Sequence, residues 1–417
     1  MKMKVLWFEI STPARYKNNN QTTAGWQDSL ENIIRKYSDI KLYIAFEASI
    51  ESKSQIIDNV TYIPINVKYN YLEKKINNFT WNINKLKLIP ECIKIIEQYQ
   101  PDIIHIFGNE WPFGLIAQYI NTPIVIHIQG SIIPYNNALY PPKYNGYTIF
   151  KTFLFRPIKL YHYFCNYIKG KSRQKIEEEV WKYVRNYMGR TEWDKALVRT
   201  IHPNSRYWHV EEALRKEFTT RDKIWTLPKN KRIQLITTGL SSFWKGPDML
   251  LKTAHLLKNL GIDFEWLVAG NIPKDLKTII ENKEKQKFEH NNIKILGFIG
   301  PKELADLLCN STIYVHTAYI ENSPNSICEA QILGVPIIST FVGGIDSLIR
   351  NEIDGKLVPA NDPWRMASSI IELANNEDKL LTYSKNSREV ALKRHSDSNI
   401  ISELLTCYNN IISTNEC

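Results

Sequence analysis

The sequence has no uncharged apolar run approaching the roughly 18 residues that a membrane-spanning helix needs. The apolar segment at residues 5–8 is also too short for the core of a signal peptide. The expected location is therefore the cytoplasm. With 43% hydrophobic and 23% charged residues, the chain has the composition of a folded protein rather than a disordered one.

Cysteine pairs and metal motifs are missing as well. None of the six cysteines stands in a Cys-x-x-Cys pair, which favours reduced thiols over a disulfide framework or a zinc site. No Asp-x-Asp pair occurs, so we expect neither a metal nor an organic cofactor. No internal repeat of solenoid length is present, which excludes a repeat architecture.

Positive charge is in excess, with 53 lysines and arginines against 43 aspartates and glutamates, a net charge of +10. This balance fits an anionic partner, such as a phosphate-bearing substrate or an acidic lipid surface, or else a solvated basic surface with no partner. No helix-turn-helix, zinc-finger or RNA-binding signature accompanies the charge, so we expect no nucleic-acid partner.

Hydrophobic periodicity predicts two successive α/β halves, in which short apolar runs alternate with helices. The first half has predicted strands at residues 4–10, 40–47, 60–65, 102–107 and 123–128, and helices at 26–37, 85–99 and 112–119. The second has strands at 232–238, 263–269, 293–296, 312–316 and 335–339, and helices at 247–259, 275–285, 301–310, 325–333 and 347–350. A polar stretch at 224–231 is typical of a linker, so we predict two doubly wound domains with a ligand-binding cleft between them.

Residues 145–185 interrupt the alternation with aromatic side chains interleaved with basic ones. Two interpretations stay open for this helical stretch. It is either a core helix whose lysines reach out to water, or a helix that lies in the interface of an anionic membrane.

Residues 321–330 carry the strongest local pattern. Ser323 is a good N-cap, Pro324 suits the first helical position, and Gly334 can end the helix. The pattern predicts a short helix whose amino end binds an anion such as a diphosphate.

Several side chains surround this predicted anion site. Glu321 and Asn322 lie just before the helix, Asn325 and Ser326 lie in its first turn, and Glu329 lies further along it. Two carboxylates on either side of a diphosphate can hold the hydroxyl groups of a sugar and a ribose.

The order of these motifs resembles the retaining GT4 glycosyltransferases of the GT-B fold. It comprises two glutamates separated by seven residues, the Gly-Val-Pro turn at 334–336, and the pair Gly343 and Gly344. In that family the first glutamate contacts the transferred sugar, the second binds ribose, and a lysine before a glycine binds the diphosphate. The resemblance implies these roles for Glu321, Glu329 and Lys245.

Other donor-binding residues rest on the same resemblance, which covers most of residues 232–375. It implies that Phe298 and Ile299 form the turn that flanks the nucleobase. Ser323, Gly343 and Gly344 are expected at the donor as well.

The N-terminal half resembles the polysaccharide-assembly branch of the family more loosely. Its glycine-rich loop corresponds to Ala24-Gly25-Trp26, which implies that Gly25 approaches the diphosphate or the acceptor. The motif at 189–194 also matches. The remaining candidates are expected on the acceptor side: Glu110, His127, Gln129, Arg190 and Trp193.

Two positions depart from the family pattern. Leu240 stands where members have an arginine five residues before the diphosphate-binding lysine, so either Arg190 supplies the missing charge or donor affinity is lower. Gln129 stands where many members have a histidine, and an amide can hydrogen-bond a sugar hydroxyl but cannot titrate.

The expected protein is a two-domain α/β enzyme of the GT-B fold. Residues 1–225 form the acceptor-side domain and 226–395 the nucleotide-sugar domain, and the helix within 396–417 returns to the first domain, as in the family. It moves a sugar from a nucleotide-diphosphate sugar to a hydroxyl acceptor, with retention implied by the resemblance. The acceptor expected is a lipid-linked glycan, with peripheral contact to the inner face of the cell membrane.

Two alternatives stay open. A nucleotide-sugar 2-epimerase has the same architecture and needs no acceptor, and a non-catalytic protein could bind sugar nucleotides or polyanions. The intact pair of glutamates argues against the non-catalytic alternative.

Overall fold

The structure is a computed structural model that describes residues 2–17, 25–48, 52–77, 79–80, 82–229 and 231–415. Ala24, part of the predicted glycine-rich loop, lies outside the described residues. The predicted α/β alternation is confirmed in both halves. The strands and helices are as follows.

The described residues of the first half form eight strands and eight α-helices, with a 3-10 helix at Pro112–Gln118. In chain order these are β1 (Lys4–Glu9), α1 (Trp26–Tyr37), β2 (Lys41–Glu47), β3 (Gln55–Ile57), β4 (Val60–Ile65), α2 (Tyr71–Asn77), α3 (Asn82–Tyr99), β5 (Ile103–Phe107), β6 (Ile124–His127), α4 (Ile132–Asn137), α5 (Gly146–Thr152), α6 (Pro157–Tyr183), β7 (Asn186–Gly189), α7 (Glu192–Ile201), β8 (Arg206–His209) and α8 (Lys216–Thr219).

In the second half, the part of the chain that the structure describes forms six strands and eight α-helices, with 3-10 helices at Phe243–Lys245 and Glu289–Asn291. In chain order these are β9 (Ile233–Thr238), α9 (Pro247–Asn259), β10 (Phe264–Ala269), α10 (Lys274–Glu284), β11 (Ile293–Gly297), α11 (Pro301–Asn310), β12 (Ile313–His316), α12 (Asn325–Leu333), β13 (Ile337–Thr340), α13 (Ile345–Leu348), β14 (Lys356–Val358), α14 (Pro363–Ala374), α15 (Glu377–Arg394) and α16 (Asp397–Asn415).

The described chain divides into two compact units. Unit 1 comprises residues 1–133, 161–213 and 395–417, and unit 2 comprises 134–160 and 214–394, each without its undescribed residues. Each unit holds one of the two sheets. Residues 134–160 therefore belong to unit 2 although they precede most of it in sequence.

Unit 1 is built on an eight-stranded sheet in the order β3-β4-β2-β1-β5-β6-β7-β8. All neighbours are parallel except β3 and β4. Side chains alternate along β1, with Val5 and Trp7 in one core and Leu6 and Phe8 in the other, so the strand is buried on both faces.

Helix α16 covers one face of the unit 1 sheet together with α1. Its apolar side chains Ile400, Leu404 and Tyr408 are fully buried there. The indole Nε1 of Trp7 donates to the Tyr408 hydroxyl at 3.3 Å, and Nδ1 of His105 lies 2.6 Å from the same oxygen. The last helix is thus tied to the first and fifth strands by buried polar contacts.

Unit 2 is built on a six-stranded parallel sheet in the order β11-β10-β9-β12-β13-β14. The chain moves outward from β9 to β11 and then returns to the other side of β9 with β12. The strand order therefore reverses between β9 and β12. Ligands of doubly wound sheets bind at such a point, outside the carboxyl ends of the strands.

Four helices have the predicted bounds, namely α1, α9, α11 and α12. Other predictions were wrong in detail. Residues 112–118 form a 3-10 helix rather than an α-helix, and Gly114 packs there so tightly that a Cβ would overlap Val180. Strand β13 begins only at Ile337, because Pro336 has no N–H to donate. Helix α13 begins two residues earlier than predicted, at Ile345.

The predicted helical stretch at 145–185 forms α5 and α6. The core-helix interpretation holds best for the second half of α6, where Ile176, Val180 and Trp181 are buried in unit 1. In and just after α5, Ile149 and Phe153 are buried too. Most large side chains between residues 147 and 167 are exposed.

Replacing the Tyr408 hydroxyl tests the contact between α16 and the sheet. Tyr408→Phe leaves the Trp7 N–H and a His105 nitrogen without this partner, which costs about 1–3 kcal/mol of unfolding free energy. Urea unfolding followed by fluorescence and circular dichroism measures it. The exposed variant Tyr119→Phe should change stability by less than about 0.5 kcal/mol. Equal stability of the two variants would show that the buried hydroxyl contributes nothing.

Candidate functional site

The loop after β12 in unit 2 is held between two glycine turns. A Cβ on Gly246 would overlap the carbonyl oxygen of Thr317, and one on Gly343 would overlap that of Glu321. Both glycines have positive φ, of 73° and 53°. Glycine is required twice over at each position, by the backbone angle and by the close approach.

Hydrogen bonds fix the same loop. The Gly344 N–H donates to the carbonyl of Glu321 at 3.0 Å, and the Thr317 hydroxyl donates to the carbonyl of Lys245 at 3.0 Å. The Tyr319 N–H donates to the carbonyl of Trp244 at 2.6 Å. The loop that carries Glu321 is therefore hydrogen-bonded on one side to the backbone at Trp244 and Lys245, and on the other side to that of Gly344.

Lys245 and Glu321 are in direct contact, with Nζ of the lysine against Oε1 of the glutamate. Lys245 follows β9 and Glu321 follows β12, so the two strands at the reversal point each supply one of the pair. The Glu321 side chain is 6% exposed, whereas that of Lys245 is 27% exposed. The cation is thus accessible to a ligand while its carboxylate partner lies beneath.

His316 was not singled out by the sequence, yet it lies beside this pair. It ends β12, and its Nε2 is 3.7 Å from Oε1 of Glu321. Burial, with the charge of Lys245, lowers the pKa of His316 to about 3, so the ring is neutral at pH 7. The sequence could have indicated His316, because it is the last residue of the strand and ligands of such sheets bind at the carboxyl ends of the strands.

Helix α12 begins at Asn325 and ends at Gly334, which has a φ of 77°. The prediction of Gly334 as the end of the helix is confirmed. The prediction of Ser323 as N-cap is wrong, because Pro324 occupies that position and Ser323 is 7% exposed.

The polar residues around the start of α12 differ in burial. Glu321, Asn322 and Ser323 are buried, whereas Asn325 and Ser326 in the first turn are half-buried. First-turn N–H groups of an α-helix have no intrahelical acceptor, and the helix dipole favours an anion there. The start of α12 therefore combines half-buried hydrogen-bond donors in its first turn with the buried carboxylate of Glu321.

Glu329 lies inside α12 and is 3% exposed. Its Oε1 receives two contacts from the Arg215 guanidinium, at 2.8 Å from Nε and 2.7 Å from Nη2. Sequence analysis did not identify Arg215 because it is distant in sequence and lies in no motif. The arginine fixes one carboxylate oxygen and neutralises a buried acid.

Phe298 and Ile299 follow β11, two strands away from β9. Phe298 is 74% exposed and Ile299 is half-buried. They share the carboxyl edge of the sheet with Lys245, and their predicted contact with a nucleobase stays a prediction. Leu240, the departure from the family pattern, is buried and contributes no charge.

A buried polar network supports the helix that follows Lys245. The Tyr319 hydroxyl donates to Oδ2 of Asp248 at 2.9 Å, and Lys252 lies 2.9 Å from the same oxygen. Lys252 also lies 3.4 Å from Glu284, which accepts from the Tyr144 hydroxyl at 2.6 Å. Residue Tyr144 is thereby connected to the first turn of α9.

The predicted acceptor-side residues lie in unit 1, most of them after its strands. Glu110 follows β5, His127 ends β6, Gln129 lies two residues beyond it, and Arg190 follows β7. Gly25 precedes α1 and is exposed, with nothing within 4 Å of where a Cβ would lie. Neither its backbone angle nor its packing requires glycine in this structure.

Glu110 lies among other charges. Burial raises the pKa of Glu110 to about 7, opposed by the nearby charge of Arg173. Burial likewise raises the pKa of Glu177 to about 7, while its carboxylate accepts from Asn109 Nδ2 and from the N–H of Ile132 at 2.8 Å.

His127 is fully buried between aromatic rings, 4.9 Å from Trp26 and 5.4 Å from His105 by ring centroids. Its two ring nitrogens make no hydrogen bond within the described part of the chain. Burial lowers the pKa of His127 well below its ordinary value, so the ring is neutral. The guanidinium of Arg190 lies over the Trp26 ring, 5.1 Å from its centroid.

The motif at 189–194 has a structural explanation. The Asp194 carboxylate accepts from the N–H groups of Arg190 at 3.0 Å and Thr191 at 3.3 Å, and it occupies the space that a Cβ on Gly189 would need. Arg190 Nε lies 3.1 Å from the buried Glu212. Trp193 is half-buried, and its acceptor role stays a prediction.

No helix within the described residues combines the length and the hydrophobicity that a membrane span requires. In the same residues, no three histidine, cysteine or acidic side chains cluster as metal ligands would.

Residues 219–390 match the family described as Glycosyl transferases group 1. The phosphatidylinositol N-acetylglucosaminyltransferase GPI3 subunit of Saccharomyces cerevisiae is 28% identical over 173 residues, which are 40% of this chain and 36% of that subunit. The match thus spans about a third of this relative. An uncharacterized glycosyltransferase of Methanocaldococcus jannaschii is 23% identical over 370 residues, 87% of this chain and 88% of its own.

Among solved structures, sucrose-phosphate synthase from Thermosynechococcus elongatus is similar with a TM-score of 0.72 at 14% identity. The likeness covers 99% of this chain and 100% of that one. At such low identity it establishes the fold alone, and the predicted GT-B fold class is confirmed.

A methyl group at Gly343 tests the close approach of the two turns. Gly343→Ala should lower the unfolding free energy by about 2 kcal/mol more than Gly261→Ala. Gly261 has a similar positive φ of 71° but nothing within 4 Å of a Cβ, so it controls for backbone strain. Urea unfolding measures both variants, and equal losses would contradict the close approach.

Removing the titrating carboxyl of Glu110 should change how stability depends on pH. The folded protein holds this proton up to about pH 7, whereas an ordinary glutamate releases it near 4.5, so stability falls as the pH rises between these values. Glu110→Gln should raise stability at pH 8 by about 1–2 kcal/mol and flatten this fall.

The pH profile is measured by urea unfolding between pH 5 and 8. The slope should not vanish, because Glu177 titrates in the same direction. Glu97→Gln, at an exposed position on α3, is the control and should leave the profile unchanged. A Glu110→Gln profile identical to that of the unmodified protein would contradict the assignment.

Proposed function

We propose that the chain is a retaining glycosyltransferase, because residues 219–390 match the family described as Glycosyl transferases group 1. It transfers a sugar from a nucleotide-diphosphate sugar to a hydroxyl acceptor. The observation that carries the proposal is the contact between Lys245 and Glu321 at the reversal point of the unit 2 sheet.

The donor diphosphate binds Lys245 and the first turn of α12. Without donor the lysine rests on Glu321, and its partly exposed ammonium can turn to an arriving phosphate. The N–H groups of the first turn, near Asn325 and Ser326, add donors whose direction matches the helix dipole. These groups are most useful when negative charge builds up on the departing diphosphate.

Glu321 contacts the transferred sugar. Its carboxylate is held in place by the loop contacts at Gly343 and Gly344 and lies near the neutral ring of His316. Once the phosphates draw Lys245 away, an acceptor oxygen of Glu321 becomes available for a sugar hydroxyl. A neutral His316 adds no competing positive charge and can hydrogen-bond the same group.

Glu329 binds the ribose hydroxyls. Arg215 directs both of its contacts to Oε1, which fixes the orientation of the carboxylate within the helix. The buried charge is therefore balanced before the donor arrives, which lessens the cost of keeping an acid at this depth.

In the proposed reaction, the bond between the anomeric carbon and the diphosphate oxygen breaks, and a bond to the acceptor oxygen forms on the same face. The proton of the acceptor hydroxyl passes to the leaving phosphate. Lys245 and the helix amides stabilise the departing charge, and no carboxylate nucleophile is needed.

The acceptor is proposed to be a lipid-linked glycan in the assembly of cell-surface polysaccharide. Two observations support this class: the resemblance to the polysaccharide-assembly branch, and the lipid acceptor named in the yeast relative, a phosphatidylinositol. Glu110, His127, Gln129, Arg190 and Trp193 are the proposed acceptor-side residues.

Lys245 and Glu321 are tested by substitution. A thermal-shift screen of UDP-, GDP- and ADP-sugars first identifies the donor, because a ligand that binds the folded state raises the melting temperature. Lys245→Ala and Glu321→Gln should then each lower acceptor-dependent nucleotide release at least about 100-fold. Circular dichroism verifies that both variants are folded.

Lys283→Ala, which removes an exposed lysine near the end of α10, is the charge-matched control and should retain full activity. Near-normal turnover of Lys245→Ala or Glu321→Gln would contradict the proposed site. Release of free sugar and nucleotide at the same rate with and without an acceptor would instead identify the 2-epimerase activity.

A further inference from the structure

One long part of the chain carries positive charge without any acid. No aspartate or glutamate occurs from residue 111 through residue 176, whereas eight lysines and arginines lie between residues 143 and 175. No side chain within this segment can therefore neutralise its positive charges.

The same segment exposes large apolar side chains. Eight of them are exposed along α5, the turn after it and the first half of α6: Tyr147, Phe150, Leu154, Phe155, Ile158, Tyr161, Phe164 and Tyr167. Phe155, in the turn, is 93% exposed. We call the five that belong to unit 2 (Tyr147, Phe150, Leu154, Phe155 and Ile158), with Lys151 and Arg156 among them, the aromatic-basic surface. Exposed apolar patches of this extent mark interaction sites.

Some of the bases in the segment have partners. Lys159 pairs with Asp275 of α10, Lys171 lies over the ring of Tyr167, and Arg173 lies over that of Trp111. Lys151 and Arg156 are exposed beside the turn that carries Phe155. Their charges are therefore directed to solvent next to the most exposed aromatic ring.

We propose that the aromatic-basic surface docks on an anionic lipid membrane. Aromatic rings partition into the interface between headgroups and acyl chains, while lysine and arginine attract the anionic headgroups. Apolar insertion and electrostatic attraction reinforce each other here, and lasting membrane attachment generally needs two such contributions.

The composition of the surface favours a membrane over other polyanions. Leu154, Phe155 and Ile158 have large apolar side chains that a nucleic-acid backbone has no means to bury. Removing such surface from water requires an apolar phase, which the acyl region of a bilayer supplies. A protein partner would need a matching acidic and apolar face.

Vesicle binding tests the docking surface independently of the proposed function, because it is measured without donor or acceptor. The full chain is floated with vesicles of phosphatidylcholine alone and of phosphatidylcholine with about one third phosphatidylglycerol. Binding is expected only to the anionic vesicles and should weaken as salt is raised.

Two double variants separate the two contributions. Lys151→Ala with Arg156→Ala should weaken binding about 30-fold, from about a sixfold loss for each cation near the surface. Phe150→Ser with Phe155→Ser should reduce binding at high salt most, because the apolar contribution is not screened. Both pairs are exposed, so circular dichroism should stay unchanged.

Lys74→Ala with Lys385→Ala, exposed lysines outside this segment, is the charge-matched control and should bind as the unmodified protein does. Binding unchanged in both test variants would overturn the proposal. So would absence of vesicle binding, with or without retention on a single-stranded DNA column.

Discussion

The candidate site depends on the close approach of three backbone segments in unit 2. Gly246 and Gly343 each lie against the loop after β12 with no room for a side chain. Because this loop carries Glu321, and Lys245 directly precedes Gly246, the two glycines determine where the ion pair forms. The geometry of the ion pair thus depends on glycine at both of these positions as much as on the two charged side chains.

Buried acids in this site have a neutralising partner close by. Glu321 rests on Lys245 and Glu329 on Arg215, while His316 remains neutral because burial disfavours its charged form. Each partner charge offsets part of the free-energy cost of burying an ionised group away from water. In the proposed function, the half-buried Lys245 exchanges Glu321 for the donor diphosphate.

The buried titratable groups of unit 1 differ from those of the unit 2 site in their pKa values and hydrogen bonding. Glu110 and Glu177 have raised pKa values, and His127 makes no hydrogen bond among the described residues. The motif at 189–194, by contrast, is explained by capping, because Asp194 binds the backbone that precedes it. The residues at 189–194 are therefore explained by local folding, although the same residues resemble a motif of functional importance.

The sequence by itself determined the α/β alternation and the bounds of helices such as α1 and α12, because local periodicity and the turn at Gly334 suffice for those. It also singled out Lys245 and Glu321, each from a local motif, and the structure places the two side chains in contact. The predicted Ser323 cap was wrong, because Pro324 occupies the N-cap position. Only the tertiary structure brought His316 to Glu321, Arg215 to Glu329 and residues 134–160 into unit 2. Arg215 and Glu329 are 114 residues apart, and no local pattern encodes which distant side chain will balance a buried charge. His316 and Glu321 are close in sequence, but the path of the loop between them, which distant glycine turns hold in place, decides that they meet.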